Sequence, residues 1–268
     1  MRLSVALTAA RLTDLRSTMV RASSSVVPTG LGALDRALPG GGLGGGLVHE
    51  WIGVQDNAGE PSQQPAVARR TPWSPALTLL MEMAWRAAGS SRNGDGRLVW
   101  IGPGVWPYPV SLVRDGHAGQ RTSLDRHLFV RASRPADRVW AIDLALRSRT
   151  AAAVIADGSG FDLAATRRLQ LAGEAGDGLC LLARPPWERA ELSAAATRWV
   201  VSCMPSSSMN RRWTVELLRC KGVQPASHTP RVWVLEQDRA TRALRVAADV
   251  LDRPGEAEAG GTGVRRTG

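Results

Sequence analysis

Thr29-Gly30-Leu31-Gly32-Ala33-Leu34-Asp35-Arg36-Ala37-Leu38-Pro39-Gly40-Gly41-Gly42-Leu43, continuing through Gly46-Leu47-Val48 to His49 and Glu50, is the stretch on which the fold is decided. Its glycines permit tight backbone turns. Leu34-Asp35 and the apolar run that follows set it apart from a flexible glycine linker. The run Val48–Ile52 suits a buried strand, so the stretch reads as a turn feeding a strand.

Outward from that strand, helix and strand signals alternate. Ser74-Pro75 predicts a helix start, with the hydroxyl as cap and proline in the first turn. Leu77, Leu80, Met81, Ala84 and Trp85 then recur at helical spacing, and Gly89 closes the segment. Residues 98–101 read as a strand ending at Gly102-Pro103-Gly104. A helix from near Asp137 carries Val139, Ile142 and Leu146, with Trp140 and Leu144, on one face. Residues 151–156 form a buried strand ending in Asp157, and Asp162 caps a helix with Leu163, Thr166, Leu169 and Gln170. Residues 179–183, 198–202, 214–218 and 232–235 follow as strands. Alternation followed by a run of strands predicts an α/β fold. Its mostly parallel central sheet is flanked by helices, with antiparallel strands toward the C-terminus. Residues 1–25 read as a helix over 7–20 plus a serine linker, 26–251 as the folded domain, and 252–268 as a disordered tail.

Composition narrows the classes. At 268 residues, 44% hydrophobic and 22% charged, the chain is long enough and apolar enough for a core without disulfides or metal. Cys180, Cys203 and Cys220 are too few and too far apart for a disulfide framework or a zinc site. No apolar run reaches membrane-spanning length, and residues 1–20 lack a signal-peptide pattern. The expected setting is therefore a reduced cytoplasm. Lys+Arg number 34 against 24 acids, and Lys221 is the one lysine, leaving 33 arginines. That surplus favours polyanions, nucleic acid among them.

The glycine stretch resembles the approach to the nucleotide site in RecA-like recombinases. The resemblance implies that a phosphate loop, G-x-x-x-x-G-K-[ST], should follow, with backbone amides and a lysine around phosphates. Gly53 and Gly59 have a suggestive spacing, but Glu60 and Pro61 stand where lysine and the hydroxyl residue belong. Residues 53–73 thus read as a remodelled, lengthened and mobile loop, in which Arg69 and Arg70 are the available cations. Asp157 occupies the position of the magnesium-holding acid, and Gly102 stands where the water-orienting glutamate is expected. Gly53, Gly59 and Asp157 are accordingly vestigial nucleotide-site positions. Arg219 and Lys221, in Glu216-Leu217-Leu218-Arg219-Cys220-Lys221-Gly222, resemble the basic strand end that reaches a neighbouring subunit's nucleotide, and with Arg211 and Arg212 they are the candidate interface or DNA contacts. The histidines at 49, 117, 127 and 228 are scattered and read as structural.

Within the RecA-like group the chain resembles the ImuA family, over roughly residues 28–235. The segments that carry this are Leu38-Pro39-Gly40-Gly41-Gly42-Leu43, the helix of Trp140, Thr166-Arg167-Arg168-Leu169-Gln170, Ala195-Ala196-Thr197-Arg198-Trp199, and Trp213-Thr214-Val215-Glu216-Leu217-Leu218-Arg219. The resemblance implies an accessory protein of the SOS damage response and mutagenic translesion synthesis, without chemistry of its own. The partners it implies are an inactive Y-family polymerase relative (ImuB-like) and an error-prone replicative-type polymerase, with RecA and DNA as further contacts. It implies no cofactor and no metal, and recruitment to the nucleoid on damage. Two alternatives stay open at this point: an ATP-binding recombinase relative with a divergent phosphate loop, and a RecA-related division inhibitor.

Overall fold

The computed structural model describes residues 25–53, 73–90, 96–112, 124–206, 208–223 and 231–247. The expected helix at 7–20, Gly59 with most of the 53–73 loop, His117, His228 and the 252–268 tail lie outside the described residues.

The glycine stretch folds as β1 (Val26–Val27), α1 (Gly32–Asp35) and β2 (Leu43–Gly44), with β1 and β2 paired antiparallel. Asp35 clasps its start: one carboxylate oxygen accepts from the Thr29 amide at 2.8 Å and the Thr29 hydroxyl at 2.7 Å. The turn thereby presents Leu31 and Leu34 to the core, both at least 96% buried.

The main sheet is built from β3 (Val48–Ile52), β4 (Arg97–Ile101), β5 (His127–Val130), β6 (Ala151–Asp157), β7 (Leu179–Arg184), β8 (Thr197–Met204), β9 (Arg211–Cys220), β10 (Val232–Gln237) and β11 (Leu244–Val246). Its order is β11-β10-β9-β8-β3-β7-β6-β4-β5. From β5 to β8 neighbouring strands are parallel, and from β8 to β11 they are antiparallel. This is the expected α/β architecture. All five residues of β3 are buried, as a central parallel strand covered on both faces requires.

Helix α2 (Leu77–Ser90) covers one face, burying Leu79, Leu80, Met83 and Ala84 against Trp100, Ile155 and Leu181. On the same face Trp51 stacks on Trp199, ring centroids 5.3 Å apart, and Trp233 leans on Trp199 at 6.1 Å. Helices α3 (Pro135–Arg147) and α4 (Leu163–Gly176) cover the other face through Ile142, Leu146, Leu169 and Ala172. Asp162 caps α4, accepting from the Ala165 amide at 2.8 Å, as expected.

Two readings are corrected. Helix α2 begins at Leu77, not at Ser74-Pro75: Trp73 and Ser74 lie against Gly53 at the end of β3, and the first helical bond runs from the Leu80 amide to the Ala76 carbonyl. Trp140 and Leu144 do not share the buried face of α3. They are 61% and 56% exposed, while Val139, Ile142 and Leu146 are buried. At 100° per residue, positions 140 and 144 lie about 100° and 140° round from 139, outside an apolar stripe of ordinary width.

Candidate functional site

The carboxyl ends of the parallel strands are where ligand sites of doubly wound sheets form. Gly53 ends β3, Gly102 follows β4, Asp157 ends β6 and Arg184 ends β7. The structure therefore brings Gly53, Gly102 and Asp157 to one sheet edge, with β7 between β3 and β6.

Each of these groups is already engaged. The Gly53 amide donates to the Arg184 carbonyl at 2.9 Å, extending the β3–β7 ladder. A Cβ on Gly53 would stand 2.6 Å from the Ser74 carbonyl oxygen and 3.0 Å from the Trp73 ring. Residues 73–74 thus lie against the point where a phosphate loop would leave the strand. At β6, Asp157 Oδ1 accepts from the Ser159 amide at 2.9 Å, closing a turn, and Oδ2 faces the Arg138 guanidinium at 3.9 Å. Arg138, 5% exposed, also donates to the Ser133 and Ser159 carbonyls at 2.6 Å each. Gly102 has φ of +89°, and a Cβ there would come within 3.0 Å of both Asp157 and Arg138. A glutamate in that place would meet strained backbone and occupied space.

A second network runs across the sheet under residues 185–196. Glu50, on β3 and fully buried, accepts from Arg184 at 3.1 Å, Ser193 Oγ at 2.7 Å and Arg198 Nε at 2.7 Å. Arg184, also fully buried, reaches Glu188 at 2.6 Å and the Phe161 carbonyl at 2.9 Å. Arg198 holds the carbonyls of Glu188 and Arg189 at 3.2 Å. Glu50 inside the apolar run of β3 is the one signal the sequence offers, since a buried charge needs a partner, and it does not say which residue the partner is.

The four basic candidates do not form one cluster. They lie at opposite ends of β9, whose ten residues span roughly 30 Å. Arg219 donates to the Ser193 and Ala195 carbonyls at 2.9 and 2.6 Å, and Lys221 to the Ala194 carbonyl at 2.5 Å. Burial, with Arg198 close by, lowers the Arg219 pKa, and burial beside Arg219 lowers that of Lys221. Both pin residues 193–195 over the Glu50 network. At the other end Arg212 pairs with Glu236 at 3.4 Å, while Arg211 is exposed.

His49 is fully buried in a hydrogen-bonded chain. Its Nε2 donates to the Gly44 carbonyl at 3.0 Å, and its Nδ1 accepts from the Thr197 hydroxyl at 2.8 Å. The Trp199 indole donates to that hydroxyl at 2.7 Å. Burial depresses the His49 pKa from 6.5 to about 4, so the ring is neutral at pH 7. Among the described residues no group of three or more His, Cys, Asp or Glu could hold a metal ion. No helix among them is long and apolar enough to cross a membrane.

No family model matches the chain. Protein ImuA of Caulobacter vibrioides, from strain NA1000 / CB15N and from strain ATCC 19089 / CIP 103742 / CB 15, is 30% identical over 238 residues in each case. The match covers 82% of this chain and 86% of each relative.

Proposed function

The chain belongs to the ImuA family, and on that premise we propose that it is a non-catalytic accessory protein of damage-induced, error-prone translesion synthesis, built on a RecA-like core. Its partners in this reading are an inactive Y-family polymerase relative and an error-prone replicative-type polymerase, with RecA as a further contact, at the nucleoid after DNA damage. The RecA-like part is supported by the parallel order of β5 to β8 and by the common sheet edge of Gly53 and Asp157.

The observation that carries the non-catalytic part is the state of that edge. Nucleoside triphosphate hydrolysis needs preorganised positive charge on the phosphates and an oriented water. Here the Gly53 amide is spent on β7, residues 73–74 lie against Gly53, and Asp157 is turned to Ser159 and Arg138. Gly102 supplies no side chain to orient a water. What remains is a rigid scaffold with exposed apolar positions on the outer side of α3 and α4, Trp140, Leu144 and Leu171, each at least 55% exposed. Exposed tryptophan and leucine beside arginines fit a protein-docking face.

The test is co-expression of the full chain with the polymerase relative and the error-prone polymerase, followed by gel filtration with and without ATP and magnesium. Co-elution that is indifferent to nucleotide is expected. Separate elution, or assembly only with ATP, overturns the reading.

A further inference from the structure

A groove of about 750 Å³ lies along α2, and neither Gly53 nor Asp157 lines it. Leu77 and Met81 lie on its floor, Tyr108 on one wall, and Met209, Arg211 and Arg239 with Arg242 on the other. We propose that this groove binds a single strand of nucleic acid without regard to sequence. The proposal stands apart from the adaptor reading and draws on different residues.

Charge is the first argument. Arg212 and Arg245 both end on Glu236, at 3.4 and 2.5 Å. Arg211, Arg239 and Arg242 are exposed and meet no carboxylate among the described residues. Three free guanidiniums therefore border one concavity. Two carboxylates line the groove, one paired and one still charged, so three guanidiniums stand against a single uncompensated negative charge. Glu82 pairs with Arg86 at 3.0 Å. Asp238 accepts from the Ala240 amide, the Thr241 amide and the Thr241 hydroxyl at 3.0, 2.7 and 2.9 Å. The field offered to a ligand is thus cationic, and guanidinium is the group best suited to phosphate oxygens.

Rigidity is the second argument. Asp238 closes the β10–β11 turn that carries Arg239 and Arg242. Asn210 ties that turn to the start of β9, its Oδ1 accepting from the Arg239 amide at 3.1 Å and its Nδ2 donating to Glu236 at 2.8 Å. The backbone that carries the arginines is braced, so the ordering left for binding is confined to their side chains.

Surface type and length complete it. Tyr108 is 76% and Met209 72% exposed, a flat ring and a soft thioether on opposite walls. Base–aromatic stacking is tolerant of sequence. From Leu77 to Trp85 the floor is nine residues of helix, eight rises or about 12 Å, the length of three to four stacked nucleotides. An acidic amphipathic peptide would instead need a continuous apolar seam, and Thr78 and Glu82 interrupt the floor.

The test is fluorescence anisotropy of the full chain with a labelled oligothymidylate of about 16 nucleotides, at a series of salt concentrations. Binding is expected. The R211A/R239A/R242A variant should bind at least about tenfold more weakly, with the slope of log affinity against log salt reduced by about 2. Tyr108→Ala should weaken binding roughly fivefold or more without changing that slope. A control of equal charge change on exposed arginines elsewhere, R36A/R131A/R167A, should stay within about threefold. Thermal melting of each variant keeps folding separate from binding. The proposal is overturned if the wild-type chain does not bind, or if both triple variants lose affinity equally. Displacement by millimolar ATP overturns it in favour of a mononucleotide pocket. Arginine-dependent capture of polyglutamate without oligonucleotide binding overturns it in favour of an acidic protein partner.

Discussion

Replacing Glu50 by alanine removes the carboxylate that joins Arg184, Arg198 and Ser193 at the centre of the sheet. Arg184 is fully buried and the Arg198 side chain is only 10% exposed, so neither guanidinium can turn to solvent. Both keep some partners: Arg184 retains Glu188, and Arg198 retains two carbonyls. Removing one member of a buried charge network costs about 3–5 kcal/mol, because the charge left behind stays desolvated. At a urea m-value of about 2–3 kcal/mol/M, that loss lowers the unfolding midpoint by roughly 1–2.5 M. The internal reference is Glu216→Ala, which breaks the exposed Arg189 pair, 52% and 36% accessible; such a pair is worth about 0–1 kcal/mol. Urea titrations followed by tryptophan fluorescence read both variants. If Glu50→Ala shifts the midpoint no further than Glu216→Ala, the network is not holding β3, β7 and β8 together, and the reasoning fails.

Three further outcomes follow from the same structure. The folded-state pKa of His49 is depressed, so its contribution is complete above pH 6.5 and is lost as pH falls toward about 4. That shift corresponds to about 3 kcal/mol, and urea midpoints from pH 7 to 4 should decline less steeply in His49→Gln than in the wild type. Burial raises the thiol pKa values of Cys180 and Cys220, while Cys203 is exposed; Ellman's reagent should label Cys203 quickly in the native protein and the other two only in denaturant, and fast labelling of Cys180 would contradict its placement. Trp140→Ala and Leu144→Ala, on the exposed side of α3, should change stability by less than about 0.5 kcal/mol yet weaken retention of the polymerase relative in a pull-down; full retention would move the docking face elsewhere.

The central strands were legible because apolar runs such as Val48–Ile52 and Ala151–Asp157 are bounded by glycine or acid. The edge strands were not. His127–Val130 and Leu244–Val246 are short and half solvated, so neither shows the apolar run or the clean alternation that marks a strand. The glycine stretch correctly announced a turn into the central strand, and its threonine and aspartate prove to bond each other. Asp157 was readable as an acid closing a buried strand. Arg138, which faces Asp157, and Arg184, which pairs with Glu50, were not readable in those roles. They meet their carboxylates across elements, Arg184 and Glu50 being 134 residues apart, and no local pattern records such a pair. The same distance effect made Arg211, Arg212, Arg219 and Lys221 look like one cluster, when a ten-residue strand holds them at its two ends.

Steady-state ATP turnover by the full chain with magnesium, with and without single-stranded DNA, tests the non-catalytic claim most directly. With the Gly53 amide bonded to β7 and Asp157 held by Ser159 and Arg138, phosphate release should not exceed that of the Asp157→Asn variant under either condition. Turnover clearly above that variant would mean the sheet edge is a working nucleotide site and would contradict the account.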